Sequence, residues 1–243
     1  MTATLSRPPR PRGTDRTGDA GPAVTFAARA ARAALKPAAL AASLAPLAFG
    51  LWAAFHDQIG RDPARALERM TGDWSIEFLC LTLAVTPVRR LTAWHWLVRL
   101  RRMLGLFSCF YGTIHFLTYL TFDRFSWIDF PNGLLSGAAA VDFIRSTGAD
   151  IVARPFLAIG FAGLLVMMPL AITSTPGMIR RLGGRRWRRL HRLVYVVAVA
   201  GLLHHWWPLA DRFRLDTYGT LVGTSLAFRL YWTRVRSRPA APV

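Results

Sequence analysis

Three of the six histidines in this chain fall in one apolar run, LHRLVYVVAVAGLLHHWW, residues 190–207. An imidazole inside such a run costs free energy unless something binds it, so His191, His204 and His205 each call for a partner. His115 stands in a second run of the same kind, MLGLFSCFYGTIHFLTYLTF. At 1.5 Å per helical residue His115 lies about 18 Å beyond Met103 and His204 about 21 Å beyond Leu190, so the two reach similar depths. Two neutral imidazoles at one depth on facing helices can bond a haem iron from both sides. Imidazole suits copper and zinc as well, but those ions ask for more protein ligands. No carboxylate or thiolate pair stands nearby in these runs. Internal hydrogen bonding and a proton or substrate path are the other readings that these residues leave open.

His191 precedes His204 by about 20 Å along one helix and about 140° in azimuth. That distance suits a second redox position near the inner face, with Arg102, Met103 and Leu104 opposite. His191 also sits beside Arg188, Arg189 and Arg192, where an interfacial histidine that binds nothing is equally natural. His205 points about 100° away from His204 and precedes Trp206, Trp207 and Pro208, a pattern expected of an outer interfacial belt. His56 and His95 read as surface or headgroup-facing residues. Gly105, Gly112, Gly160, Gly163 and Gly201 can open a slot for a planar group or simply let helices pack closely.

The elements that position these residues are set by charge-free runs. Residues 37–55, 103–122, 155–179 and 193–210 contain no Asp, Glu, Lys or Arg. A span of a bilayer core takes about 17–25 apolar residues. Residues 74–88, carrying Glu77, and 217–233, carrying Arg229, complete a set of six. The expected fold is all-α, a polytopic bundle of about six transmembrane helices. Cationic residues alternate between the loops, and the Arg-rich segments precede the first span, join spans two to three and four to five, and follow the sixth. The positive-inside rule then places both termini in the cytoplasm. The net charge of +18 therefore reads as topology and contact with an anionic lipid bilayer, and a nucleic-acid partner is excluded because the spans separate the basic residues. Residues 1–35 are expected to form a disordered basic tail, 36–233 the transmembrane domain and 234–243 a short basic tail. The long outer segment 123–154 holds FPNGLLSGAAAV, too short to span. Cys80 and Cys109 fall in different spans, which makes a disulfide or a thiolate metal site an unfavourable expectation.

The stretches RRMLGLFSCFYGTIHFLTY, TGDWSIEFLCLTLAVTPVRR, ARPFLAIG and TSTPGMIRRLGGRRWRRLHRLVYVVAVAGLLHHWW occur in order between Leu51 and Trp232. Together they resemble the MsrQ (YedZ) family within the ferric-reductase-like transmembrane group. The resemblance implies haem b held in a helical bundle, bound FMN, and electrons drawn from the respiratory quinone pool. It implies a multi-pass protein of the bacterial cell inner membrane whose partner is MsrP, a periplasmic molybdopterin enzyme that reduces methionine sulfoxide in oxidised proteins. The family's histidines fall on His115, His191 and His204. The position of His205 often holds another residue, such as Tyr, in that family. Ferric reductases pair two histidines on each of two helices, whereas span three here has no inner histidine.

No G-x-G-x-x-G follows a strand, and no cysteine or molybdenum site for substrate chemistry is visible. The expectation is an electron-transfer subunit of an oxidoreductase complex rather than the catalytic subunit. A stand-alone transmembrane ferric or metal reductase is the alternative, and a transporter with a histidine relay is the third reading.

Overall fold

The computed structural model describes residues 22–56, 58–124, 137–207 and 212–236. The chain divides into two units, Met1–Ala38 and Ala39–Val243. What is described of the first is the opening part of helix α1 (Pro22–Phe55). Residues 22–35 lie within α1, and residues 1–21 lie outside the described residues.

The second unit continues with α2 (Pro63–Thr92), a 3-10 turn (His95–Leu97), α3 (Val98–Tyr119) and a π-helical end (Leu120–Arg124). Then come α4 (Gly137–Ala153), α5 (Pro155–Ile172), α6 (Pro176–Leu182) and α7 (Gly184–Leu190). A second 3-10 turn (His191–Leu193), α8 (Val194–Trp206) and α9 (Arg212–Arg236) complete the order. Every regular element among the described residues is helical. Among the described residues, three stretches are long and apolar enough to cross a membrane: Ala33–Phe55, His95–Arg124 and Pro155–Ile172. The outward-facing apolar residues include Phe49, Phe110, Leu117, Ile172, Val196 and Leu230, all exposed. A bundle that turns such side chains outward is matched to lipid rather than water.

Two boundaries differ from the expectation, for local reasons. The run 155–179 does not form one helix. Pro176 begins α6, and the residue before a proline is driven out of the α region, so Thr175 is extended at φ −73°, ψ 147°. Thr173 and Ser174 close α5 by donating their hydroxyls to the Pro169 and Leu170 carbonyls at 2.6 and 2.7 Å. The outer segment contains the 17-residue helix α4, packed on α5, which its composition had not announced.

α2 and α3 form an antiparallel pair and make the most extensive contact in the bundle. Ser75 Oγ donates to the Ser108 carbonyl at 3.0 Å, and Ser108 Oγ donates back to the Ser75 carbonyl at 2.8 Å. Small side chains of this kind let helix backbones approach in lipid. α5 packs on α8, and α9 packs on α2. Between them lies a core of Ile76, Leu79, Leu83, Val197, Ala198 and Val222. A second cluster of Phe78, Phe107 and Tyr111 lies between α2 and α3.

Two polar side chains repair backbone gaps. Pro87 lies inside α2 and cannot donate to the Leu83 carbonyl one turn before it. Arg229 of α9 supplies the missing donor, with Nη2 2.9 Å from that carbonyl and 3.0 Å from Thr86 Oγ1. Tyr111, fully buried, donates its hydroxyl to the Ser43 carbonyl at 2.8 Å and accepts from the Leu47 amide at 3.2 Å. It thereby occupies one rung of the α1 ladder, next to Pro46.

α2 ends on Ala93, a non-glycine residue in the left-handed region at φ 58°, ψ 16°. Glycine takes that conformation without the Cβ clash. Ala93→Gly is expected to stabilise the protein by about 0.5–1 kcal/mol, visible as a raised thermal midpoint of the purified protein in detergent.

Candidate functional site

α2, α3, α5 and α8 enclose a cavity of about 490 Å³, within the range of small-molecule and cofactor sites. Its middle is apolar, lined by Ile76, Leu79, Leu164, Met167 and Val197. Charged residues, among them Arg65, Glu68, Arg69, Asp73, Asp123 and Arg154, lie along its lining nearer the Asp62 end of α2. At that end Tyr119 Oη donates to Asp150 Oδ2 at 2.7 Å, and Arg154 pairs with Asp150 at 2.9 Å. Burial, and next the Asp123 carboxylate, push the Glu68 carboxyl above its ordinary range, against Arg65 and Arg69.

His115 on α3 and His204 on α8 meet in this cavity, their ring centroids 5.9 Å apart with planes at 74°. His115 Nδ1 is 2.8 Å from the Glu68 carbonyl on α2. His204 Nδ1 is 2.7 Å from the Phe156 carbonyl on α5. A carbonyl only accepts, so each Nδ1 carries the proton and each Nε2 keeps its lone pair. Neither Nε2 has a hydrogen-bond partner among the described residues. An imidazole held in this way is set up to bind a metal through Nε2.

Both rings reach their carbonyls by the same local device. Within a helix the carbonyl of residue i points at residue i+4. Glu68 is followed four residues later by Gly72, and Phe156 by Gly160. A Cβ on Gly72 would stand 3.1 Å from His115 Nδ1 and Cε1. A Cβ on Gly160 would stand 2.5 Å from His204 Nδ1 and 2.7 Å from Cε1, a distance real side chains do not tolerate. The missing methyl groups leave each carbonyl's second lone pair open to a side chain from the next helix.

The donor set narrows the chemistry. Among the described residues no group of three or more His, Cys, Asp or Glu converges as a metal site. Two imidazoles beside an apolar cavity fit haem, which brings its own four equatorial nitrogens. An ion bonded to both rings at about 2.0–2.1 Å would space their centroids by roughly 6 Å, close to what is observed.

The other histidines are held differently. His205, expected beside the outer tryptophans, turns inward instead. Its side chain is 12% exposed, with Nδ1 3.9 Å from Asp73 Oδ1 and its ring 5.3 Å from that of Tyr218. One turn along α2, Glu77 accepts from the Tyr218 hydroxyl at 3.0 Å. Asp73 and Glu77 thus draw α8 and α9 onto α2, while Trp206 and Trp207 stay exposed. His191 stacks on Trp187 at 4.0 Å, with Nδ1 3.2 Å from the Trp187 carbonyl and Nε2 3.3 Å from Ser174 Oγ. Burial pushes its imidazole below the usual histidine range, and Arg101 and Arg102 act the same way. Met103 packs against the Phe78 cluster. His56 stacks on Trp52 at the exposed end of α1, and His95 is exposed in its turn.

Comparison with known proteins places these features in a lineage. Residues 71–202 match the family model described as ferric reductase like transmembrane component. The chain is 47% identical over 191 residues to the protein-methionine-sulfoxide reductase heme-binding subunit MsrQ of Herminiimonas arsenicoxydans, covering 76% of this chain and 80% of the relative. It is 45% identical to the MsrQ of Ralstonia nicotianae over 188 residues, 76% of this chain and 79% of that one. It is 40% identical to the MsrQ of Polaromonas naphthalenivorans over 210 residues, 84% and 89% of the two chains.

The two glycine positions predict opposite sensitivities. Gly160→Ala drives a methyl into the His204 ring and is expected to cost about 1–3 kcal/mol. Gly163→Ala, whose methyl would meet only Ala200 Cβ at 3.6 Å, should be nearly neutral. Thermal unfolding of the two variants side by side checks this.

Proposed function

Because the chain belongs to the MsrQ family of ferric-reductase-like transmembrane proteins, we propose that it is the haem-binding electron-transfer subunit of a methionine-sulfoxide reductase system. The observation that carries the reading is the facing pair His115 and His204, each with Nδ1 tied to a carbonyl of another helix and Nε2 left for a ligand. When bound there, haem supplies one-electron iron chemistry.

The residues have separable tasks in this reading. His115 and His204 would hold the haem iron through Nε2. The Glu68 and Phe156 carbonyls fix the tautomer and raise the basicity of each ring. Ile76, Leu79, Leu164, Met167 and Val197 exclude water and keep the local dielectric low. His191 is the remaining candidate for a second haem or an inner redox site. Its Nε2 faces Ser174 here, so iron binding there has to displace that contact.

The finer parts of the proposal extend past the family name. Six spans with both termini cytoplasmic follow from the alternation of Arg-rich loops. The reading sets the protein in the bacterial inner membrane, with quinol as electron source and FMN as a further cofactor. The recipient is a periplasmic molybdenum-containing partner of the MsrP type, which carries out the reduction of methionine sulfoxide.

Optical spectra test the site. Purified protein should show a reducible b-type Soret and α band. His115→Ala and His204→Ala should each abolish or severely deplete it, whereas His95→Ala should retain it. Normal haem content in both ligand variants would sink the assignment. Ferric reduction by the isolated subunit, with no effect of its deletion on methionine-sulfoxide repair, would instead favour the stand-alone reductase.

A further inference from the structure

The side of α2 that faces the cavity changes character along its length. Arg65, Arg69, Gly72, Ile76 and Leu79 all line the cavity, and their spacing of four, three, four and three residues puts them on one stripe of the helix. From the Asp62 end, that stripe runs through two guanidiniums, the gap that admits the His115 ring, and two apolar side chains. Arg69 stands about 4.5 Å and Arg65 about 10.5 Å along the axis from Gly72. α5 repeats the order: Arg154 caps its start, Gly160 admits the His204 ring, and Leu164 and Met167 follow. Both helices thus set charge on one side of the imidazole pair and hydrocarbon on the other.

The cations at the charged end differ in what they already hold. Arg65 pairs with Asp62 at 3.3 Å, and 68% of its side chain is exposed. No carboxylate pairs with Arg69 among the described residues. Arg154 pairs with Asp150 at 2.9 Å, but the same carboxylate has Arg124 at 4.0 Å and accepts from the Tyr119 hydroxyl. One carboxylate therefore stands against two guanidiniums, and Arg124 Nε is buried without a hydrogen-bond partner. Asp73, Glu68 and Asp123 also line this end. Asp73 faces His205, and Glu68 lies within electrostatic reach of Asp123, Arg65 and Arg69. These acids repel any further anion, so the cations decide where one can sit.

We propose that Arg69 of α2 and Arg154 at the head of α5 bind the propionate carboxylates of the haem. The inference rests on the haem reading and adds a direction to it. An ionised carboxylate beside Leu79, Leu164 and Met167 has neither water nor a partner, so the apolar end rejects it. Guanidinium forks match carboxylate oxygens in pairs, and Arg69 has its fork unclaimed. Asp150 and Tyr119 are positioning residues, holding Arg154 at the cavity mouth. A cation fixed beside the bound group also favours the reduced iron, because reduction adds negative charge.

The test uses purified full-length protein in detergent with its haem in place. Redox titration at the α band gives the midpoint, and redox-difference infrared spectra with isotope-labelled propionate carboxyls give the carboxylate bands. Arg69→Gln should shift the equilibrium about tenfold toward the oxidised form, a midpoint lower by about 59 mV for one electron, and should move the labelled band. Arg69→Lys keeps the charge and loses the fork, so it should recover most of the midpoint but not the band. Arg154→Gln should act in the same direction, and it carries the test if Arg69→Gln loses its haem. Arg185→Gln, an exposed cation on α7, should leave both readouts unchanged. A midpoint and a labelled band that stay put in haem-loaded Arg69→Gln and Arg154→Gln would overturn the inference and leave the histidine assignment standing. An unsubstituted protein without a b-type spectrum would overturn both.

Discussion

The arrangement turns on one hydrogen bond made twice: an imidazole Nδ1–H donated to a main-chain carbonyl of a neighbouring helix. In lipid no water is present to take that proton, so the ring has to find an acceptor within the bundle. Helical carbonyls are numerous, but each already accepts from the amide four residues on. Where that later residue is glycine, the second lone pair lies open to an incoming ring. Gly72 and Gly160 create those two openings, and the rings they admit present Nε2 to a common apolar cavity.

The same shortage of water explains the polar contacts away from the cavity. Tyr111 enters a rung of α1, Arg229 caps the carbonyl that Pro87 leaves open, and Ser75 and Ser108 bond each other's backbones. Asp73 and Glu77 face His205 and Tyr218 rather than lipid. Each contact binds two helices and satisfies a group that would otherwise carry a desolvation cost. The outward faces are left to apolar side chains, whose attraction for lipid is not directional.

Much of this was legible in the sequence because depth is a one-dimensional quantity. Counting along charge-free runs brought His115 level with His204, and the two rings do meet. Azimuth was harder to read. His205 was expected among the outer tryptophans because its neighbours are Trp206 and Trp207. Its direction is set by Asp73, 132 positions earlier, which no local pattern could indicate. Gly72 carries no local signal for a similar reason: a helical glycine usually means close packing, and its use as an opening depends on which side chain arrives from another helix. The length of α5 was overestimated because hydropathy is blind to the Ser-Thr-Pro stop that follows it.

The ring bonds of His115 and His204 are each closed within one helical hairpin. His115 and its acceptor are 47 residues apart, on α2 and α3, and His204 and its acceptor are 48 apart, on α5 and α8. No residue of one hairpin enters the ring bond of the other. The protein is therefore two half-sites, each complete in its backbone bonding, that meet along a seam. The orientation of either ring is a property of its own half, and joining the halves fixes only the gap between them. In assembly, as opposed to sequence or chemistry, what the seam has to set is a spacing rather than a shape.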